Sequence, residues 1–104
     1  MKKILIIDDK HDNLIAISAV IKNHFSDIDI FTALSGKEGL NLAHQRQPDT
    51  IILDIKMPVM DGFEVCRILK AKDNTKHIPI ILLTAVYKIR KVMPKDLIQA
   101  LTLF

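Results

Sequence analysis

Two strongly apolar runs that end in acidic residues constrain the fold of this chain more than any other feature. Residues 51–53 lead straight into Asp54, and residues 3–7 lead into the pair Asp8 and Asp9. Runs this apolar are typical of strands that are buried on both faces, as in a parallel sheet. In open α/β sheets, the carboxyl ends of the strands form the edge where ligands bind. The two runs therefore predict acidic side chains at a ligand-binding edge.

Strand and helix patterns alternate along the chain, which predicts an α/β fold with a parallel sheet and helices on both faces. Short connections and right-handed crossovers favour the strand order 2-1-3-4, a flavodoxin-like doubly wound sheet. The predicted strands are residues 3–8, 28–33, 51–54 and 80–83, and the predicted helices are residues 13–25, 35–45 and a third that opens at residue 61.

Local signals mark where the helices begin and which faces they bury. Ser35 and Glu38 form a capping-box pattern, in which each side chain can satisfy a backbone donor of the other residue. Asp61 is a candidate cap for the third helix. In that helix we expect an apolar stripe of Phe63, Cys66 and Leu69, with the Cys66 thiol buried.

If the first and third strands are parallel neighbours, Asp8, Asp9 and Asp54 converge at one edge of the sheet. Carboxylates that close repel one another, and a divalent cation would offset the repulsion. Mg²⁺ suits such a site because it binds one or two carboxylates, keeps several waters and leaves room for phosphate oxygens. The strand of residues 80–83 ends in Thr84, whose hydroxyl could bind a phosphoryl oxygen.

These motifs together resemble the receiver domain of two-component response regulators. The resemblance comprises the acid pair, the aspartate that precedes Met-Pro-Val-Met-Asp-Gly in residues 57–62, and the Leu-Thr-Ala of residues 83–85. It extends from about residue 2 to about residue 86, and the motifs keep the family's order. It implies a cytoplasmic phosphoacceptor domain that is not an enzyme beyond its own phosphorylation and dephosphorylation. A histidine kinase or a phosphotransfer protein is the implied partner.

The resemblance also implies a role for individual residues. Asp54 matches the phosphoacceptor, and Asp9, with Asp8 beside it, matches the acids that hold Mg²⁺. The backbone carbonyl of Lys56 matches a further metal ligand, and Thr84 matches the hydroxyl that turns toward the phosphoryl group.

One family feature is missing from the sequence. Asn13 fits the usual position at the start of the first helix. Receiver domains also carry a lysine, usually followed by proline, at the end of a fifth strand, where it pairs with the phosphoryl group. No Lys-Pro pair follows the fourth strand in this sequence. We therefore expect residues 1–104 to be a C-terminally incomplete receiver domain without its fifth strand and final helix. A helix from about Pro94 is the predicted form of the tail. An unpaired fourth strand would favour a homodimer through that edge or through the tail.

Composition excludes several other classes of protein. The net charge of +3 and the content of four Phe, one Tyr and no Trp give no reason to expect direct nucleic-acid binding. No apolar run is long enough to cross a membrane, and the N-terminus is unlike a signal peptide. The single Cys66 cannot form an internal disulfide.

Three alternative functions remain open at this point. The missing lysine favours a pseudo-receiver, an interaction or dimerisation module that takes no phosphate. A haloacid-dehalogenase-type phosphatase would need a second aspartate at position 56, where this chain has Lys56. Flavin binding is weakly supported because no phosphate loop follows the first strand.

His11 could approach the metal, although we expect an exposed side chain there, and Asp12 could cap the first helix.

Overall fold

The computed structural model describes residues 1–83 and shows four strands that alternate with three helices. All four predicted strands and all three predicted helices are present, with bounds that differ from the predictions by at most two residues. The elements are β1 (Lys2–Ile7), α1 (His11–His24), β2 (Ile28–Ala33), α2 (Gly36–Arg46), β3 (Thr50–Asp54), α3 (Gly62–Ala71) and β4 (Ile80–Leu83).

The strands form one parallel sheet in the order β2-β1-β3-β4, which confirms the predicted topology. β1 and β3 lie in the middle, and the side chains of residues 4–7 and 50–54 are buried on both faces of the sheet. This position explains why residues 4–7 and 51–53 are continuously apolar, because neither face of these strands meets water.

Two hydrophobic cores lie on opposite faces of the sheet, because successive strand residues point to opposite sides. Leu5, Ile7 and Leu53 pack on the side of α2 and α3. Ile4 and Ile6 pack on the side of α1. The chain is thus doubly wound, and helices cover both faces of the central strands.

The first helix begins earlier than predicted, at His11 rather than Asn13. Its N-cap residue is Lys10, which makes no side-chain capping hydrogen bond, so the predicted cap at Asp12 is wrong. Asp12 lies instead in the first turn, where a negative charge interacts favourably with the helix dipole. The apolar residues Leu14, Ile17 and Ile21 recur at helical spacing in α1, and all three are buried.

The other two helices are capped as the sequence predicts. The Ser35 hydroxyl accepts a hydrogen bond from the backbone N–H of Glu38 at 3.2 Å, which is one of the two bonds of a capping box. The Asp61 carboxylate accepts from the backbone N–H of Glu64 at 2.9 Å. Each cap satisfies one of the donors that a helix leaves free in its first turn.

The predicted buried stripe of α3 is wrong at Phe63, whose side chain is 58% exposed. The buried residues of α3 are Gly62, Val65 and Leu69, while Cys66 is half-buried and packs against the core. Gly62 lies against the backbone of β3, so its side of the helix faces the sheet. Phe63 follows Gly62 and is rotated by about 100° around the helix axis, which turns it away from the sheet.

Within residues 1–83 no helix is long and apolar enough to cross a membrane. β4 lies at the edge of the sheet formed by the described strands. Thr84 and the predicted tail helix from Pro94 lie outside the described residues. Self-association through β4 or the tail stays a prediction.

Candidate functional site

Strand register brings Asp8 and Asp54 to the same edge of the sheet. Ile7 of β1 pairs with Leu53 of β3, so the two acids that follow these residues are neighbours. The backbone N–H of Asp8 donates to the carbonyl of Ala33 at 3.0 Å, which holds the end of β1 against β2. This edge is formed by the carboxyl ends of the strands, where ligands bind to open α/β sheets.

The acid cluster, defined here as Asp8, Asp9 and Asp54, is compact. Each residue offers one carboxylate oxygen, and these oxygens lie within 4.8 Å of one another. Asp8 is 1% exposed and Asp54 is fully buried, whereas Asp9 is half-buried. Like charges held this close and this deep repel strongly, because little water screens them. The arrangement therefore favours a cation at its centre.

Hydrogen bonds orient two of the three carboxylates. Asp8 Oδ1 accepts from the backbone N–H of Lys10 at 2.9 Å, and its Oδ2 accepts from Asn13 Nδ2 at 3.2 Å. Asp54 Oδ1 accepts from the backbone N–H of Lys56 at 3.2 Å. These donors come from the loops after β1 and β3 and from the first turns of α1, so the fold presets the direction of both side chains.

Asp9 provides the observation that tests the site for a metal ion. Its Oδ1 atom is buried and has no hydrogen-bond partner. A buried carboxylate oxygen without a partner is unfavourable, and a hard divalent cation or a water bound to one would satisfy it. The donor set consists of carboxylate oxygens, which suits Mg²⁺ or Ca²⁺ rather than metals that prefer nitrogen or sulfur. The residues present thus fit Mg²⁺.

The structure locates most of the residues that the sequence singles out. It brings the three acids together, and Lys56 lies beside Asp54 through its main chain. His11 is exposed, as predicted, and the other three histidines are exposed as well. Asn13 contacts the acid cluster through its amide, a role beyond the position at the start of the first helix that the sequence indicates. Its polarity at a buried helix position was the signal available in the sequence.

The loop between β3 and α3 is tight and contains an unusual backbone conformation. The N–H of Gly62 donates to the carbonyl of Ile55 at 2.7 Å, which closes the loop around its base. At its tip, the N–H of Met60 donates to the carbonyl of Pro58 at 2.7 Å, and Val59 between them has φ of 70°. Positive φ is a rare and strained conformation for a β-branched residue.

Replacement of Val59 by glycine is expected to raise the free energy of unfolding by about 1 kcal/mol, because glycine adopts positive φ without strain. The Val59 side chain is fully exposed, with a relative accessibility of 106%, so its removal loses no buried apolar surface. Urea denaturation of the two proteins measures the difference. Val59→Ala is the matched control, because alanine keeps the Cβ atom that makes positive φ unfavourable. An equal gain for both variants would contradict this account.

Comparison with known proteins agrees with this fold. Residues 4–101 match the family model of the response regulator receiver domain. The sequence is 40% identical over 84 residues to the response regulator PleD of Caulobacter vibrioides, a match that covers 81% of this chain and 18% of PleD. It is 41% identical over 90 residues to the transcriptional regulator RpaA of Synechocystis, covering 86% of this chain and 36% of RpaA. The chain thus spans a minor part of these relatives.

Solved structures give the same result. The chemotaxis protein CheY4 of Vibrio cholerae matches with a TM-score of 0.83 at 25% identity, over 98% of this chain and 97% of CheY4. A receiver domain protein from Clostridium thermocellum matches with a TM-score of 0.84 at 28% identity, over 98% of this chain and 92% of that one.

The chain belongs to the family of response regulator receiver domains. Members of this family are signalling domains rather than classical enzymes, and they interact with histidine kinases or phosphotransfer proteins. Phosphorylation and Mg²⁺ binding at an acidic pocket are typical of the family. The resemblance inferred from the sequence motifs is thereby confirmed, as is the predicted flavodoxin-like fold.

Proposed function

We propose that this chain is the phosphoacceptor domain of a two-component phosphorelay and that Asp54 receives the phosphoryl group. The observation that carries the proposal is the convergence of Asp54 with Asp8 and Asp9 at the carboxyl edge of the sheet. A carboxylate oxygen of Asp54 would attack the phosphorus of a phosphohistidine on a histidine kinase or phosphotransfer protein. The P–O bond forms as the P–N bond breaks, and the electron pair of the broken bond returns to the imidazole.

Mg²⁺ is the cofactor of this proposal, and the acid cluster with the backbone carbonyl of Lys56 would hold it. When bound, Mg²⁺ offsets the negative charge on the oxygens of the transferring group. The unpartnered Oδ1 of Asp9 supports this role for the cluster. The N–H of Lys56 donates to Asp54 Oδ1 and so holds the attacking carboxylate in one orientation.

Thr84 is the proposed switch residue of the domain. Its hydroxyl would bind the phosphoryl group, as the resemblance to the family implies. A phosphoryl group adds negative charge and acceptor oxygens at the sheet edge, which would favour a new position of a nearby hydroxyl donor. Leu83, which precedes Thr84 in the sequence, pairs with Asp54 in the sheet.

Beryllofluoride tests this function without a kinase, because it mimics an acyl phosphate when it binds to an aspartate in the presence of Mg²⁺. We expect amide NMR shifts at Asp54, at Thr84 and at the residues that follow Thr84. If Mg²⁺ alone causes shifts and beryllofluoride causes no further ones, the metal site is supported and the phosphoacceptor role is contradicted. Asp54→Asn is the control, and it should show no beryllofluoride-dependent shifts.

A pseudo-receiver is the second candidate: a domain that retains the receiver fold and acts as an interaction or dimerisation module without taking a phosphoryl group. The absence of any response to Mg²⁺ and beryllofluoride would favour this candidate over the phosphoacceptor.

A further inference from the structure

Asn13 is a polar residue that lies in the interior beside the acid cluster. It belongs to the first turn of α1 and is 1% exposed. Buried asparagine side chains are normally satisfied by hydrogen bonds at both ends of the amide. Here only one end is satisfied, because Nδ2 donates to Asp8 Oδ2 at 3.2 Å while Oδ1 has no partner.

The orientation of this amide follows from the chemistry of its neighbour. An ionised carboxylate only accepts hydrogen bonds, so the NH₂ end of Asn13 must face Asp8 and the oxygen must face away from it. Asn13 Oδ1 is bonded to the same carbon as Nδ2, the atom that contacts Asp8, and is therefore an acceptor close to the acid cluster. Within residues 1–83, Asp9 Oδ1 is the other buried side-chain oxygen without a partner, and it belongs to the same cluster.

The two unsatisfied acceptors need hydrogen-bond donors, and a ligand bound at this site can supply them. Mg²⁺ keeps several waters when one or two carboxylates hold it, and these waters are strong hydrogen-bond donors. We propose that Asn13 is a positioning residue of the metal site: Nδ2 holds Asp8, and Oδ1 accepts a hydrogen bond from a water that Mg²⁺ retains. This inference rests on the proposed function, because it takes Mg²⁺ as the ion of the site.

Titration of Asn13→Leu with Mg²⁺ alone, followed by amide NMR shifts, tests this role without any phosphodonor. Leucine has nearly the same shape but neither donor nor acceptor, so we expect Mg²⁺ affinity to fall at least about 10-fold, as is typical when an outer-shell partner is lost. Asn23→Leu is the matched control, because Asn23 is exposed on the same helix, and its affinity should equal that of the wild type. Unchanged affinity in a folded Asn13→Leu protein would overturn the proposal.

A double-mutant cycle separates the two ends of the amide. Asp8→Ala removes the acceptor of Asn13 Nδ2, so if Asn13 acted only by holding Asp8, the leucine substitution would have no further effect on Mg²⁺ affinity in that background. The proposal expects a further loss there, smaller than in the wild type, because only the contribution of Oδ1 remains to be lost. Disappearance of the loss would overturn it.

Asn13→Ala keeps the inference testable if the leucine variant does not fold. Alanine removes both ends of the amide without adding a branched side chain, so the proposal again expects Mg²⁺ affinity to fall at least about 10-fold, and unchanged affinity would overturn it. The wild-type titration also distinguishes this inference from the proposed function. A wild type that fails to bind Mg²⁺ contradicts both, whereas normal wild-type binding with an unaffected Asn13→Leu contradicts the role of Asn13 alone.

Discussion

Asp54→Asn is expected to abolish phosphorylation of this chain by a small acyl phosphate in the presence of Mg²⁺. The asparagine amide is uncharged and weakly nucleophilic, and its phosphorylation would not give an acyl phosphate. Intact-protein mass spectrometry after incubation with acetyl phosphate measures the result as the presence or absence of one added phosphoryl group.

Two variants control this experiment. Asp29 is exposed on β2, so Asp29→Asn should be labelled like the wild type. Asp9→Asn should be labelled more slowly at the same concentration of Mg²⁺, because it removes a proposed metal ligand but leaves the nucleophile. A label that persists on Asp54→Asn would refute the assignment of the phosphoacceptor.

Gly62→Ala is expected to lower the free energy of unfolding by about 3 kcal/mol, the upper part of the usual range for an overpacked core. A Cβ atom at Gly62 would overlap the carbonyl oxygen of Asp54 and lie 2.7 Å from the Cα atom of Ile55. These are backbone atoms of the central strand and the loop after it, so they cannot rotate away as a side chain can. Urea denaturation monitored by circular dichroism measures the loss.

Gly36→Ala is the matched control for this prediction. A Cβ atom at Gly36 would lie 2.8 Å from Val65 Cγ2 and 3.0 Å from Met60 Sδ, which are side-chain atoms. Val65 is stiff and Met60 is flexible, but both contacts are with side chains, which can shift more easily than the main chain of a central strand, so we expect a smaller loss of stability than for Gly62→Ala. Equal losses in the two variants would mean that the close approach of α3 to β3 has no special importance for stability.

The sequence by itself was sufficient to predict the order and type of the described elements, because the signals involved are local. The runs at residues 4–7 and 51–53 have no polar face, and only a strand in the middle of a parallel sheet buries both of its faces. The caps at Ser35 and Asp61 were predictable for the same reason, since a cap depends on a residue and the N–H three positions later.

The candidate site was predictable in part. Residues at the ends of parallel neighbours must share an edge, so the sequence and the predicted strand order together were enough to place Asp8, Asp9 and Asp54 in one cluster. The sequence could not show that Asp8 and Asp54 are buried while Asp9 is only partly so, or that Asn13 contacts the cluster. Those facts depend on how α1 and the loops after β1 and β3 pack at the edge of the sheet, and no local sequence pattern encodes that packing.

The tertiary structure alone decided which face of α3 is buried. Periodicity favoured Phe63, Cys66 and Leu69, since aromatic side chains gain much free energy when they are buried. Instead, Gly62 allows the helix to approach the backbone of β3, and this contact turns Phe63 into solvent. Hydrophobic spacing determines that a helix has an apolar face, whereas the closest backbone contact between two elements determines how that helix is rotated against the sheet.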